Sequence, residues 1–279
     1  MHLRIQIFAA FSFFTLVTIV TSVESQHEFG IDFDRNTFVL DGKPFRYISG
    51  SVHYFRLHPS KWLDRLRKVR AAGFNTVQIY VDWSLHEPEP DTYRFTDEAD
   101  VEKFISLAAE SNLFVILRTG PYMDAERDFG GLPPWLMTKK GIKLRSSDPR
   151  FLDRVDKWFA ELLPRMKPFM VQSGGPVLMV QVENEYGSWG TVMGGCDTNY
   201  LAHLRDLIRQ HLGNNTLLFS VDGYHNELLR CSLVADVYQT VDFGTGGKYN
   251  EAFKNMRSNT HFPYIHSDMP FMYVLFPGR

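Results

Sequence analysis

The feature that most constrains the fold is an apolar run that ends abruptly in acid and amide side chains, at residues 176–188. Its apolar part is nearly continuous and β-prone, which is the pattern of a strand buried on both faces of a parallel sheet. Glu183, Asn184 and Glu185 follow it directly. Because such strands open onto the carboxyl edge of an α/β sheet or barrel, where active sites lie, these side chains are predicted to form part of one. The alternative is that the two glutamates merely end a strand in solvent.

Length and charge restrict the class of protein. With 279 residues and 44% hydrophobic content, the chain can bury one large α/β domain or two small ones. The net charge of -2 argues against a nucleic-acid partner. The basic cluster at residues 61–70 has helical spacing and contains Asp64, so it is interpreted as a solvated helix face.

Residues 1–25 have the pattern of a secretory signal peptide, and the mature domain is predicted to occupy residues 26–279. Arg4 supplies the positive start, an apolar stretch of about 16 residues follows, and small residues precede the expected cleavage point. A transmembrane span is the competing interpretation. The stretch is short for a bilayer and is interrupted by polar residues, so no membrane association is expected after removal of the signal.

A secretory route also gives a reason for two other features. The chain has two cysteines, Cys196 and Cys231, and an even number in an oxidising compartment usually pairs. Asn214 begins an Asn-Asn-Thr glycosylation sequon, which requires a surface loop in the same compartment.

Strand and helix patterns alternate along the whole chain. Strands are predicted at 45–54, 76–81, 114–117, 177–182, 217–221, 237–240 and 264–266, and helices at 60–72, 98–111, 148–170, 198–212, 226–229 and 250–256. Seven β/α steps of one polarity favour a single (β/α)8 TIM barrel over two domains. The eighth strand is missing, because residues 269–279 leave no room for the crossover that a parallel strand needs.

The predicted barrel nominates a pair of carboxyl groups. Glycoside hydrolysis uses two of them across the scissile bond, and in a barrel they come from different strand ends. Glu185 ends the fourth strand, and Asp268 is the acid at the end of the seventh. Asn184 is a candidate for hydrogen bonding to a sugar hydroxyl beside the reacting carbon.

Six motifs resemble the acid β-galactosidases of glycoside hydrolase family 35. They are YISGSVHY at 47–54, HEP at 86–88, GPY at 120–122, GLP at 131–133, RSSDP at 145–149 and QVENEYG at 181–187. The resemblance spans residues 33–267 and implies a retaining, exo-acting enzyme that removes terminal β-linked galactose, in lysosomes or outside the cell.

The same resemblance implies roles for individual residues. Glu185 is the general acid/base, Asn184 binds the galactose, and Tyr80 and Glu126 line the terminal-sugar pocket. The Cys196 and Cys231 pair resembles a disulfide of the family.

The chain departs from the family pattern at two positions and in length. Asp268 stands where the family has a glutamate nucleophile, which retracts the carboxylate by about 1 Å, and a displacement of that size can cost about a hundredfold in rate. Arg127 stands where the family has Trp. The eighth strand and the β-rich domains that follow it in the family are missing, so this form is expected to be truncated, poorly stable and nearly inactive. The alternative function is galactoside binding without turnover.

No cofactor and no metal are expected. His53, His86 and His266 are not joined by His-x-His or His-x3-His spacing. Carboxylate chemistry on an acetal needs no metal ion. The expected partner is a β-galactoside substrate.

Overall fold

A computed structural model describes residues 27–35, 37–193, 195–242, 250–251 and 254–255 of the protein. Within these ranges an antiparallel sheet precedes a parallel one. The antiparallel strands are β1 (Phe29–Asp32), β2 (Thr37–Leu40) and β3 (Lys43–Phe45). The parallel strands, which neighbour one another in chain order, are β4 (Ser49–Ser51), β5 (Thr76–Tyr80), β6 (Phe114–Arg118), β7 (Val177–Gln181), β8 (Leu217–Gly223) and β9 (Tyr238–Asp242).

Helices connect the parallel strands. They are α1 (Trp62–Ala71), α2 (Trp83–His86), α3 (Val101–Glu110), α4 (Pro149–Met166), α5 (Tyr186–Val192), α6 (Thr198–Leu212) and α7 (Asn226–Cys231). Short 3-10 helices lie in the connections, at Tyr54–Arg56, Pro59–Lys61, Asp97–Ala99, Asp128–Gly131, Pro134–Thr138, Lys167–Phe169 and Val171–Ser173. Where the chain is described, no helix combines the length and the apolar character needed to cross a membrane.

The predicted parallel sheet with alternating helices is confirmed for six strands, but the first strand was predicted too long. Residues 45–54 do not form one strand, because the chain leaves the antiparallel sheet after Phe45 and joins the parallel sheet at Ser49. The Asn75 side chain fixes the connection between them. It accepts from the Ile48 N–H at 2.8 Å and donates to the Arg46 carbonyl at 2.9 Å.

Helix α4 shows why one predicted boundary was wrong. Asp148 caps its start by accepting from the Arg150 N–H at 2.9 Å, and Pro149 occupies the first helical position, as the sequence indicated. The helix was predicted to continue to residue 170. It ends at Met166, where the chain passes into a 3-10 turn at Lys167–Phe169, because Pro168 has no backbone N–H to donate to a helical carbonyl.

Two apolar cores hold the sheets and helices together. The larger core lies between the parallel sheet and the helices and includes Trp62, Phe104, Trp158, Val177, Val180 and Leu204. The second core joins the parallel sheet to the antiparallel sheet, which the sequence analysis missed, and includes Phe29, Phe38, Leu178, Met179, Phe219 and Tyr238. The second core therefore seats the β1–β3 sheet on side chains of the parallel strands.

Several predicted features lie outside the described residues. They are the signal peptide at 1–25, the seventh strand at 264–266, Asp268, and the segment at 269–279. Of the helix predicted at 250–256, residues 250–251 and 254–255 are described and are helical.

Candidate active site

The chain changes direction sharply at the carboxyl end of β7. Glu183 and Glu185 have left-handed backbone conformations, with φ of 60° and 47°. The Glu185 N–H donates to the Val221 carbonyl of β8 at 3.0 Å, and α5 begins at the next residue. Left-handed backbone is costly for residues that carry a Cβ atom and clusters at functional sites. This turn sends the two glutamate side chains into different surroundings.

Glu183 belongs to a buried ion pair. Its carboxylate accepts from Arg145 Nε at 2.9 Å and Nη2 at 2.6 Å, and from the Tyr200 hydroxyl at 2.9 Å. The side chains of Glu183 and Arg145 are 1% and 4% exposed. Because all of its lone pairs face protein donors, Glu183 supports the strand end and is not available to a ligand. The alternative interpretation, that the two glutamates merely end a strand in solvent, is wrong for Glu183.

Asn184 is held rigidly with its amide nitrogen free. Its Oδ1 atom accepts from the Tyr80 hydroxyl at 3.1 Å, Arg118 Nη2 at 2.6 Å and Gln181 Nε2 at 3.1 Å. Its Nδ2 atom is buried and has no hydrogen-bond partner among the described residues. A buried unpaired donor is costly, so this amide is suited to a ligand that accepts from it.

Glu185 has a strongly raised pKa. Burial raises the pKa of its carboxyl to about 8, together with the hydrogen bond and negative charge of Asp242 and the charge of Asp124, while Arg118 opposes the shift. Asp242 ends β9, so the two acids come from different strand ends. Glu185 is therefore protonated at neutral pH and able to donate a proton.

Replacing Asp242 tests the cause of this shift. In Asp242→Asn the negative charge beside Glu185 is lost, so the ionised form becomes less costly and the pKa of Glu185 falls. NMR titration of the full chain carrying ¹³C-labelled glutamate carboxyls measures this directly. Asp236→Asn, at an exposed residue, is the matched control. An unchanged Glu185 titration in Asp242→Asn would show that the charge of Asp242 does not contribute to the raised pKa.

The remaining predicted sugar-pocket residues lie on two elements. Tyr80 ends β5 and is 9% exposed, and its hydroxyl reaches Asn184. Glu126 lies on the loop after β6, where its exposed carboxylate pairs with Arg56 at 2.7 Å. Its neighbour Ala125 belongs to a small apolar cluster with Tyr80 and Met123. The structure thus brings Tyr80, Asn184 and Glu185 together and leaves the Glu126 side chain exposed on the loop after β6, while Asp268 lies outside the described residues.

Helix α5 is fixed to α7 immediately after Glu185. A disulfide joins Cys196 to Cys231, with 5.0 Å between their Cα atoms. A Cβ atom on Gly190 would collide with the Cys231 sulfur, and one on Gly187 with the Leu228 carbonyl. The close helix packing limits how far Glu185 can move. Asn214 lies in an exposed turn between α6 and β8.

Sequence reasoning missed three of the site's polar residues: Arg118, Gln181 and Asp242. Arg118 and Gln181 end apolar runs, which is the same signal that identified Glu185, whereas Asp242 ends a strand whose apolar pattern is interrupted by Gln239 and Thr240. His53 and His86, which were considered above as metal ligands, both have protein partners. His53 Nδ1 accepts from the Tyr80 N–H at 3.3 Å, and His86 lies within hydrogen-bonding distance of the Tyr54 hydroxyl and the Arg94 carbonyl.

Comparison with known proteins decides the family. The family model for glycosyl hydrolases family 35 matches residues 37–272. The chain belongs to glycosyl hydrolases family 35. Curated β-galactosidases of Mus musculus, Homo sapiens and Felis catus are 53%, 52% and 51% identical over 82%, 84% and 88% of this family 35 chain. The chain spans about a third of their length, at 35%, 34% and 36%.

Solved structures with a similar fold are more distant in sequence. An exo-β-1,4-mannosidase from Opitutaceae bacterium strain TAV5 matches with a TM-score of 0.52 and 19% identity, over 65% of the family 35 chain and 34% of its own. A GH5_18 variant from Streptomyces cattleya, in complex with Manβ1-4GlcNAc, also has a TM-score of 0.52, with 16% identity over 66% of this chain and 47% of its own. At these identities the likeness concerns the fold alone.

Proposed function

We propose that this family 35 member is a retaining β-galactosidase whose six parallel strands belong to a (β/α)8 barrel and whose general acid/base is Glu185. The observation that carries the proposal is a carboxyl with a pKa of about 8 at the carboxyl edge of the sheet, next to the free amide of Asn184. The identity with named β-galactosidases supports terminal β-linked galactose as the substrate.

Substrate binding follows from the fixed amide. Since three donors hold Asn184 Oδ1, its Nδ2 atom keeps one orientation, and it donates to a galactose hydroxyl once the groups that bury it make room for the sugar. Tyr80 forms a wall of the sugar pocket, and Glu126 accepts from hydroxyls at the rim. Each interaction orients the sugar before any bond changes.

The chemistry uses Glu185 twice. As the bond between the anomeric carbon and the glycosidic oxygen breaks, Glu185 gives its proton to that oxygen and a second carboxylate attacks the carbon. Glu185, now ionised and facing Arg118, then takes a proton from the water that releases the sugar. Asp268 is proposed as the second carboxylate on sequence grounds. Retention requires a separation of about 5–5.5 Å between the two groups.

A second candidate function is binding of galactosides without turnover. The observation that favours it is Asp268, whose side chain is one methylene shorter than the glutamate expected there. The pocket formed by Tyr80, Glu126 and Asn184 would be unaffected by that change, so recognition would persist without an effective nucleophile.

A comparison of substrates and anomers tests the proposal. The full chain is expected to hydrolyse p-nitrophenyl β-galactoside, slowly because Asp268 stands where the family has glutamate, and to leave the α-galactoside and the β-glucoside intact. NMR of the first product should show β-galactose before mutarotation, because two displacements at one carbon retain its configuration. Initial α-galactose would contradict retention. Calorimetric binding of galactose without any turnover would support the second function instead.

A further inference from the structure

The loop after β6 contains a turn of three consecutive left-handed residues. Asp124, Ala125 and Glu126 have φ of 59°, 50° and 47°. None is glycine, and a Cβ atom makes this conformation unfavourable at each position. Left-handed runs of this kind persist only where the surrounding structure holds them. We call residues 124–126 the left-handed turn.

Two arginines, Arg56 and Arg127, connect the left-handed turn to the rest of the protein. Arg56 donates to the Ala125 carbonyl and, at 2.7 Å, to the Glu126 carboxylate. Arg127, which directly follows the turn, forms an ion pair with Asp82, with 2.7 Å between Nη2 and Oδ2. The angles at this contact are not those of a hydrogen bond. Its guanidinium also lies over the Phe55 ring, 5.5 Å from the centroid.

Of the two ion pairs, the one between Arg127 and Asp82 is the more buried. The Asp82 side chain is fully buried at the end of β5, and its other oxygen caps α2 by accepting from Ser84 Oγ at 2.7 Å and the Leu85 N–H at 3.2 Å. Arg56, by contrast, is 42% exposed and pairs with a carboxylate that is 77% exposed. A buried carboxylate that loses its cation is left uncompensated, so the Arg127 contact resists opening more strongly.

We propose that Arg127 is a positioning residue: its ion pair with Asp82 keeps the left-handed turn in place, which holds Ala125 in its apolar cluster with Tyr80 and Met123 and sets Glu126 at the rim of the sugar pocket. The sugar-binding part of this inference rests on the proposed function. The structural part does not, because it concerns only the conformation of residues 124–126.

Hydrogen exchange and galactose binding by the full chain test the inference together. In Arg127→Met, amide exchange in residues 124–128 should accelerate roughly tenfold, and the Kd for galactose should rise by a similar factor. Adding Ala125→Gly should reverse most of both effects, since glycine adopts the left-handed conformation without the Cβ penalty. Arg67→Met, which removes an exposed ion pair with Glu110, is the matched control and should change neither quantity.

The outcomes separate the inference from the proposed function. Unchanged exchange in Arg127→Met, an equal acceleration throughout β7, or no recovery with Ala125→Gly would overturn the positioning role. If amide exchange accelerates only in residues 124–128 and recovers with Ala125→Gly, but the unsubstituted protein binds no galactose, the positioning role of Arg127 is supported and the proposed function is overturned. Local acceleration with weaker galactose binding supports both.

Discussion

Glu185→Gln is expected to lower kcat for p-nitrophenyl β-galactoside by roughly three orders of magnitude, within the range that a general acid contributes. The amide has nearly the same shape as the carboxyl, but it can neither protonate the leaving oxygen nor activate water. Steady-state kinetics of the full chain across pH measure the effect. The pH dependence assigned to a group with a pKa of about 8 should disappear with the activity.

Leaving-group and rescue experiments distinguish a chemical role from a structural one. The dinitrophenolate of a dinitrophenyl galactoside is a good enough leaving group to depart without protonation. Formation of the glycosyl-enzyme should therefore be nearly unaffected in Glu185→Gln, and a burst of dinitrophenolate should precede slow turnover. Azide should restore turnover and give β-galactosyl azide, because it attacks the intermediate without a base. Glu227→Gln, at an exposed residue of α7, should behave as the unsubstituted chain. Equal losses with both leaving groups and no azide product would contradict the assignment.

Arg145→Met is expected to destabilise the fold by about 3–5 kcal/mol, which is the usual cost of leaving one member of a buried ion pair without its partner. Arg145 is also hydrogen-bonded to the Asn184 carbonyl at 2.6 Å, so its loss loosens the strand end that carries Glu185. Urea unfolding of the full chain measures the free energy change.

A second substitution identifies the cause of that loss. Replacing the partner as well, in Arg145→Met with Glu183→Leu, should recover part of the stability because no charge remains buried. Recovery should be incomplete, since the Tyr200 hydroxyl also loses its acceptor. Arg67→Met removes an exposed pair and should cost less than about 1 kcal/mol. A double variant no more stable than Arg145→Met alone would show that lost packing, not the stranded carboxylate, dominates.

The parallel strands could be predicted because their sequence signal is local. Apolar runs such as Val177–Gln181 are buried at every position, and polar residues mark where each run leaves the sheet. Helix α5 carried no comparable signal. Its sequence, YGSWGTV, contains two glycines that disfavour a helix on their own, and it forms where Gly187 and Gly190 allow close packing on α7.

The different roles of Glu183 and Glu185 could not be predicted from the sequence. Residues two apart on an extended strand point to the same side, so the pattern grouped the two glutamates together. The positive φ at both residues breaks that alternation, and the partner of each comes from a distant segment: Arg145 for Glu183 and Asp242 for Glu185. Contacts of this kind depend on the assembled sheet, which no local pattern encodes.

The β1–β3 sheet has a consequence for the order in which the protein folds. Phe38 packs with Leu178, Met179 and Phe219, and its ring lies 6.1 Å from that of Tyr238, about 200 residues later in the chain. During synthesis this apolar surface emerges well before the residues that cover it. Contacts of such high sequence separation slow folding, because a long loop must close before burial rewards it. The β1–β3 sheet is therefore expected to dock only after its much later partner residues have been made, and until then its aromatic face is open to chaperones.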